Sequence, residues 1–342
     1  VKSKLLDFFP VPKSLAMHAS GLAITDDAIQ FARFAYKKKT EVESYGEVAV
    51  PEHVIDGGGV VEEKEFIQIL KKIKDQYKLD LVDVSIPEEK SYLFKTVVLG
   101  DSPKEIKSNI ELKIQENVPF KLSEVVFDFS ILEEDAQKKE REVVVSVLPR
   151  TVVDQYLSVF HESGLVPVSF QVESQAVTGA AVPRTNKGTV LVVHIKDDKA
   201  SFYVVSGQTV RFSSTVDIDT FDTRVNVLSE NIDLTEEKKD DDATQGSFDM
   251  KTLVREVRKI ITYWKSHDGS DEAQAIQHIY LTGTIDEEIK LTDYMSTNIS
   301  LPVEVSNVWQ NAFSFNTTIP NMKRRDSLRF AAAIGLALPN QE

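Results

Sequence analysis

The residues best placed for chemistry sit at two strand–turn–strand signatures. In "GLAITDDAIQF" (Gly21 to Phe31) alternating apolar residues flank a turn that carries Asp26 and Asp27 and no glycine. In "TVLVVHIKDDKASFYVVS" (Thr189 to Ser206) the same pattern surrounds a turn that carries His194, Lys196 and Lys199. Lysine is a capable phosphate contact. Aspartates in a turn do not suit that use, because like charges brought close repel. A lysine at a hairpin turn is also commonly just solvated. Gly57 to Gly59 could suggest a phosphate cradle, but no GxxxxGK[ST] follows, and Val60, Val61, Glu62 and Glu63 come next. That order fits a turn before a helix whose first turn is acidic. The six histidines, at 18, 53, 161, 194, 267 and 278, show no HExxH or paired ligand spacing, and there is no GxSxG. Neither a metal site nor hydrolase chemistry has positive support.

Composition narrows the classes further. The 342 residues exceed one ordinary core, which points to two lobes, and 42% hydrophobic with 27% charged residues marks a folded globular chain. The absence of cysteine excludes disulfides, thiolate zinc sites and cysteine nucleophiles together. No apolar run reaches the roughly 18 to 20 residues of a membrane helix. A net charge of −14, from 54 acidic and 40 basic residues, opposes nucleic-acid binding. The one dense basic run, Lys323 to Arg325, reads as a solvated helix start.

These residues need elements to hold them. Alternation predicts strands over Leu15 to Ile24, Ala28 to Phe34 and Val42 to Val50, an antiparallel meander. Phe66, Ile69, Leu70, Ile73 and Tyr77 then stripe a helix, and "LDLVDVSI" returns to strand. From Glu88 to about Phe170 a separate α/β unit is predicted. Ile106, Ile110, Ile114 and Val118 stripe its first helix, two strands flank a charged loop at Glu133 to Glu140, and Val152, Tyr156 and Phe160 stripe its second helix, with Gly164 as the cap. After a polar connector, Pro183 to Gly188, three more strands begin a second lobe. Asp233 to Asp249 is charge-dense and poor in large apolar residues, so a mobile insert is expected there. Leu253, Val257, Ile260, Ile261 and Trp264 stripe a long helix, "HIYLTG" meets a glycine turn, and "LRFAAAIGLAL" predicts a closing helix of small residues. Two three-strand openings, each followed by helices, imply an internal duplication.

The order of elements and several phrases resemble the actin-like ATPase superfamily and, within it, the type IV pilus assembly protein PilM family. The phrases are "VPEHVIDGGGVVEEKEFIQILKKI", "IELKIQENVPFKLSEVVFDFSIL", "SGLVPVSFQVESQAVTGAA", and "LPVEVSNVWQNAF" with "FAAAIGLAL". They span nearly the whole chain, and their shared order is more specific than any one of them. The resemblance also locates the nucleotide motifs, and there this chain departs. Where the family's first hairpin reads roughly Asp-Ile-Gly-Ser followed by a lysine, this chain has Ala23, Ile24, Thr25, Asp26 and Gln30. Where the second repeats aspartate then glycine, it has His194, Ile195 and Lys196, and the adenosine-side glycine pair is Gly283 and Thr284. Mg²⁺ prefers hard anionic oxygen, which Ala23 and His194 do not supply, and Thr25 brings a β-branched side chain where glycine would admit phosphate.

The resemblance therefore implies an α/β, actin-like (ribonuclease H-like) two-lobed fold with an inserted α/β subdomain in the first lobe. Residues 1–87 and 171–187 would form the first lobe, 88–170 the insert and 188–342 the second lobe, with the mobile acidic stretch at 233–249. It implies a cytoplasmic scaffold of a type IV pilus or related type II secretion platform. Such a scaffold is recruited to the inner membrane by the cytoplasmic N-terminal tail of a PilN-like bitopic membrane protein, bound in a groove between the first lobe and its insert, whose lining the sequence does not assign. No cofactor and no catalytic residue are expected. If Mg-ATP does bind, Thr25, Asp26, His194, Lys196, Lys199, Gly283 and Thr284 are the cleft positions, with the two lysines replacing glycine-loop contacts. A nucleotide-dependent switch of the same family and a sugar-kinase-like enzyme are the alternatives. An FtsA-like division protein fits less well, since only "PNQE" follows Leu338 and no amphipathic membrane anchor is seen.

Overall fold

The computed structural model describes residues 19–35, 41–100, 102–135, 139–196, 199–217, 250–267, 274–285, 288–313 and 320–338. The 233–249 stretch, where a mobile insert is expected, lies outside the described residues.

The first lobe opens with β1 (Ser20–Ile24), β2 (Ala28–Phe34) and β3 (Val42–Ala49), an antiparallel meander in which Leu22 pairs Phe31 and Phe31 pairs Gly46. β1 is buried throughout, while β3 alternates half-buried and exposed positions, as an edge strand with one wet face should. A short hairpin follows, β4 (Ile55–Asp56) and β5 (Gly59–Val60). Its turn places Gly57 at φ +49° and Gly58 at φ +77°, left-handed conformations that a hairpin turn of this length reserves for glycine. The glycine run thus turns a hairpin rather than leading directly into the helix. Helix α1 (Glu63–Tyr77) then buries Phe66, Ile67, Leu70 and Ile73, and β6 (Leu81–Ile86) returns parallel to β1.

A separate sheet comes next. β7 (Tyr92–Leu99), helix α2 (Pro103–Asn117), β8 (Val125–Asp135) and β9 (Glu140–Pro149) form an antiparallel three-stranded sheet, order β7-β9-β8, backed by α2. Ser102 and Glu105 cap α2 reciprocally, and its Ile106, Ile110 and Ile114 pack on Val143, Val145 and Val147. The strands run into the expected loop at Glu133 to Glu140 from both sides.

One boundary requires correction. Helix α3 (Arg150–Ser163) and strand β10 (Val166–Val172), assigned from sequence to the insert up to Phe170, belong to the first lobe. β10 pairs parallel with β6, completing a five-stranded sheet of order β10-β6-β1-β2-β3. Tyr156, Val159 and Phe160 of α3 lie in the same core as Phe66 and Leu70. The separate sheet therefore covers 92–149. Helical periodicity reveals which face of α3 is buried but not which sheet buries it.

Helix α4 (Glu173–Ala181) leads to the second lobe: β11 (Thr189–Ile195), β12 (Lys199–Ser206), β13 (Thr209–Asp217), helix α5 (Met250–His267), β14 (Ile276–Gly283), helix α6 (Glu288–Asn298), β15 (Val303–Val305), and helices α7 (Arg324–Arg329) and α8 (Ala331–Ala337). The expected single closing helix is broken at Phe330. The second sheet, order β13-β12-β11-β14-β15, repeats the connectivity of the first in reverse listing. The lobes exchange helices. α4 contributes Ala176, Val177 and Ala180 to the second-lobe core, while α8 packs on β1 and β2. Small residues make this possible: a methyl group added at Gly335 would overlap the Ala176 carbonyl oxygen.

Candidate functional site

The two lysine- and aspartate-bearing hairpins meet across the interlobe cleft. Each turn is closed by its own backbone, Thr25 N donating to the Ala28 carbonyl at 2.9 Å and Lys196 N to the Lys199 carbonyl at 2.8 Å. The Thr25 hydroxyl donates to Asp27 Oδ1 at 2.6 Å and accepts from Ala28 N at 3.1 Å, so the turn without glycine is held by side chains. Asp26 accepts from Gly58 N at 2.8 Å, which ties the first hairpin to the glycine turn of β4 and β5.

The charges are internally matched. Lys199 Nζ lies 3.2 Å from Asp26 and 3.0 Å from Glu89, and Lys196 Nζ lies 2.7 Å from Glu173 Oε2. Both lysine side chains are largely covered, 15% and 16% exposed, so the reading of them as solvated turn residues is corrected. Asp26 is likewise no uncompensated charge. The floor is deeper still: Glu173 is 2% exposed, His194 Nε2 lies 3.9 Å from Glu173 Oε1, and Ser174 N donates to Glu88 Oε2 at 3.0 Å. A second tie lies away from the cleft, where Glu142 of β9 receives Arg211 of β13 and Lys95 of β7, each at 3.1 Å.

Burial governs the protonation of these groups. It raises the Glu173 carboxyl, against the pull of Lys196, and raises Glu88 against hydrogen bonds from Ser174 and Ser213 and the charge of Lys196. Burial alone would lower Lys196, but Glu173 and Glu89 outweigh it and the ammonium is held above its ordinary value. Lys199 is raised the same way by Glu89 and Asp26. Burial, with Lys196 nearby, pushes His194 down to about 3, so its ring is neutral. The cleft floor is a neutral imidazole beside a buried lysine–carboxylate pair.

The described residues enclose one small cavity at this floor. Ala23, Thr25, His194, Lys196, Gly283 and Thr284 line a cavity of about 40 Å³, against roughly 300–1,000 Å³ for small-molecule sites in general. Asp26 and Lys199 stand just outside this lining, paired to each other. Gly283 has a structural explanation: its φ is +97°, and an added methyl group would overlap the Ile195 carbonyl oxygen, to which Thr284 N donates at 2.7 Å. The positions nominated from sequence thus converge. Glu88, Glu89 and Glu173 escaped that reading, although Glu173, a lone acid heading the otherwise uncharged "ESQAVTGAA", carried a signal. Among the described residues no group of three or more His, Cys, Asp or Glu could hold a metal ion.

At the junction of the first-lobe sheet and the insert, Arg150 donates to the carbonyls of Ser123 and Val125 at 3.2 and 3.1 Å, and Gln155 donates to the Val60 carbonyl at 2.7 Å. A polar hollow of about 290 Å³ is lined by Asp128, Ser130 and Ser146 of the insert together with Gln175 and Gln208. Among the described residues no helix is long and apolar enough to cross a membrane.

A profile of the type IV pilus assembly protein PilM family matches residues 21–240. The chain is similar to the solved PilM-PilN type IV pilus biogenesis complex, with 17% identity over 94% of this chain and 98% of that one and a TM-score of 0.71. Weaker likenesses are to ethanolamine utilization protein EutJ from Carboxydothermus hydrogenoformans (10% identity, 94% and 89% covered, TM-score 0.48) and to the cytoplasmic domain of EpsL, an inner membrane component of the type II secretion system of Vibrio cholerae (10% identity, 92% and 93% covered, TM-score 0.48). No curated protein matches. The fold is the actin-like two-lobed α/β fold with an inserted α/β subdomain in the first lobe.

Proposed function

The chain belongs to the type IV pilus assembly protein PilM family, and we propose that it works there as a scaffold rather than as an enzyme. It would bind the short cytoplasmic tail of a PilN-like membrane protein between the first lobe and the insert. That contact would recruit it from the cytoplasm to the inner-membrane platform of a type IV pilus or related secretion machine. The PilM-PilN complex among its structural likenesses supports this partner. One observation carries the non-enzymatic reading. Where a nucleotide would need open space and free cations, Lys196 is engaged by Glu173 at a cavity of about 40 Å³, and Lys199, just outside it, by Asp26 and Glu89. An incoming triphosphate would have to displace three carboxylates from the lysines. Charge-assisted pairs in a covered site resist that exchange.

A nucleotide-dependent switch is the competing reading, favoured by the same two lysines facing the cleft. If the carboxylates moved away, both ammonium groups could meet phosphate. Calorimetry distinguishes the two. Millimolar Mg-ATP should give no saturable heat and no rise in thermal stability, whereas a ligand at a hundredfold its Kd adds about 2.7 kcal/mol. A synthetic tail peptide of the PilN-like partner should raise thermal stability with no nucleotide present. Micromolar Mg-ATP binding would replace the scaffold reading with the switch, and a tail peptide without effect would remove the assigned partner.

A further inference from the structure

The second lobe carries a groove remote in chemistry from the interlobe cleft. It lies between α5 and α6, encloses about 640 Å³, and is lined by Lys251, Arg255, Arg258 and Lys259 together with Tyr263 and Tyr294. On α5 the lining residues recur from Lys251 to Ser266 as one helical stripe, about 22 Å long at roughly 1.5 Å per residue. Helix α5 itself carries five cations, Lys251, Arg255, Arg258, Lys259 and Lys265, and one carboxylate, Glu256, within a chain of net charge −14. Glu256 meets Arg255 and Lys259 at 3.5 and 2.8 Å, and Arg258 donates to the Asn298 carbonyl at the end of α6, so the cations are spread along the stripe by their own contacts. The Tyr263 ring is half exposed and braced by Phe212 and His267, with centroids at 5.2 and 4.2 Å. Beyond Tyr294 a second hollow exposes Ile289, which is 79% accessible.

We propose that this face docks an acidic segment of a partner protein, its carboxylates over the α5 cations and an apolar or aromatic side chain against Tyr263 and Tyr294. Pre-set aromatic rings flanked by arginine are the residue types that dominate binding energy at protein interfaces. A lone phosphate fits less well. The cations are solvated, Arg255 56% and Lys259 63% exposed, so several must act together along a chain of charges. An anionic bilayer fits less well too, because Glu288 and Asp293 stand beside Tyr294 on the adjoining ridge and would face the headgroups. Docking here and tail recognition at the insert use separate surfaces, and either can fail alone.

The test is fluorescence anisotropy on the full chain with a labelled peptide of about 16 residues repeating Glu-Glu-Leu-Glu-Tyr, long enough to follow the stripe. Binding should saturate and weaken with added salt. Arg255→Glu with Lys259→Glu should weaken it by about tenfold or more, and Tyr263→Ala should weaken it as well. Lys107→Glu with Lys113→Glu on α2 should leave it unchanged. No saturable binding at low salt, binding that survives the α5 charge reversal, or equal binding of the peptide with Lys in place of Glu overturns the proposal. So does co-sedimentation with vesicles one-third phosphatidylglycerol that is lost in the same α5 variants, which would give the face to a membrane.

Discussion

Glu173 and Lys196 meet at 2.7 Å where solvent hardly reaches, and their worth depends on keeping both. Glu173→Ala strands a buried ammonium and should cost about 3–5 kcal/mol in urea unfolding, while Glu173→Gln with Lys196→Met, which removes both charges, should recover most of that loss. His194 beside them gives a pH dependence of definite sign. Its folded value near 3 lies below the unfolded 6.5, so the neutral ring's contribution is complete above pH 6.5 and falls as pH drops toward 3. Glu88 and Glu173 act in the opposite sense. Their carboxyls are raised above 4.5, so their contribution is complete below that value and declines as pH rises through the folded ones. Comparing wild type with His194→Gln isolates the imidazole. Between pH 7.5 and about pH 4.5, wild type should lose up to about 2.7 kcal/mol more than the variant. Equal slopes in chemical denaturation would show that the ring titrates normally in the folded state.

At the scale of elements, the contact between α4 and α8 is set by the absence of side chains. Gly335→Ala pushes a methyl group into the Ala176 carbonyl and should destabilise by about 1–3 kcal/mol or more, with no charge changed. The corrected border of the insert gives a second expectation. Replacing 91–149 with a short Gly–Ser linker should leave a cooperative unfolding transition, because α3 and β10 remain in the first-lobe core. Replacing 88–170 should abolish it, since Tyr156 and Phe160 go with it. These two deletions also mark how far the sequence can be read. Alternation in Gly21 to Phe34 and the spacing of Ile106, Ile110 and Ile114 disclose strands and helices because local period reports which face is covered. The same spacing in Val152, Tyr156 and Phe160 discloses a helix but not its neighbour, a long-range fact with no local signature. In the cleft, His194, Lys196 and Gly283 were legible as departures or survivals at motif positions. The carboxylates of the site, Glu88, Glu89 and Glu173, come from other elements, and Glu173 and Glu89 meet Lys196 and Lys199 only in the folded chain.

At the scale of the whole molecule, two ionic ties join separate parts of the fold. Lys199 links the second lobe to Asp26 and Glu89, and Arg211 links it to Glu142 of the insert. Lys199→Ala with Arg211→Ala should loosen the lobes, seen as a larger radius of gyration in small-angle scattering and faster amide exchange in β11 and β12. An unchanged radius and exchange pattern would mean that these two ties do not set the angle between lobes. The ties also change what the cleft can sense. A site closed by a bound nucleotide opens and shuts with the supply of that nucleotide, whereas groups on one covalent chain face each other at a fixed effective concentration. If the chain works as the proposed scaffold, with no nucleotide in the cleft, closure would be indifferent to the energy charge of the cell, and ionic strength and temperature would be the variables that move the lobes.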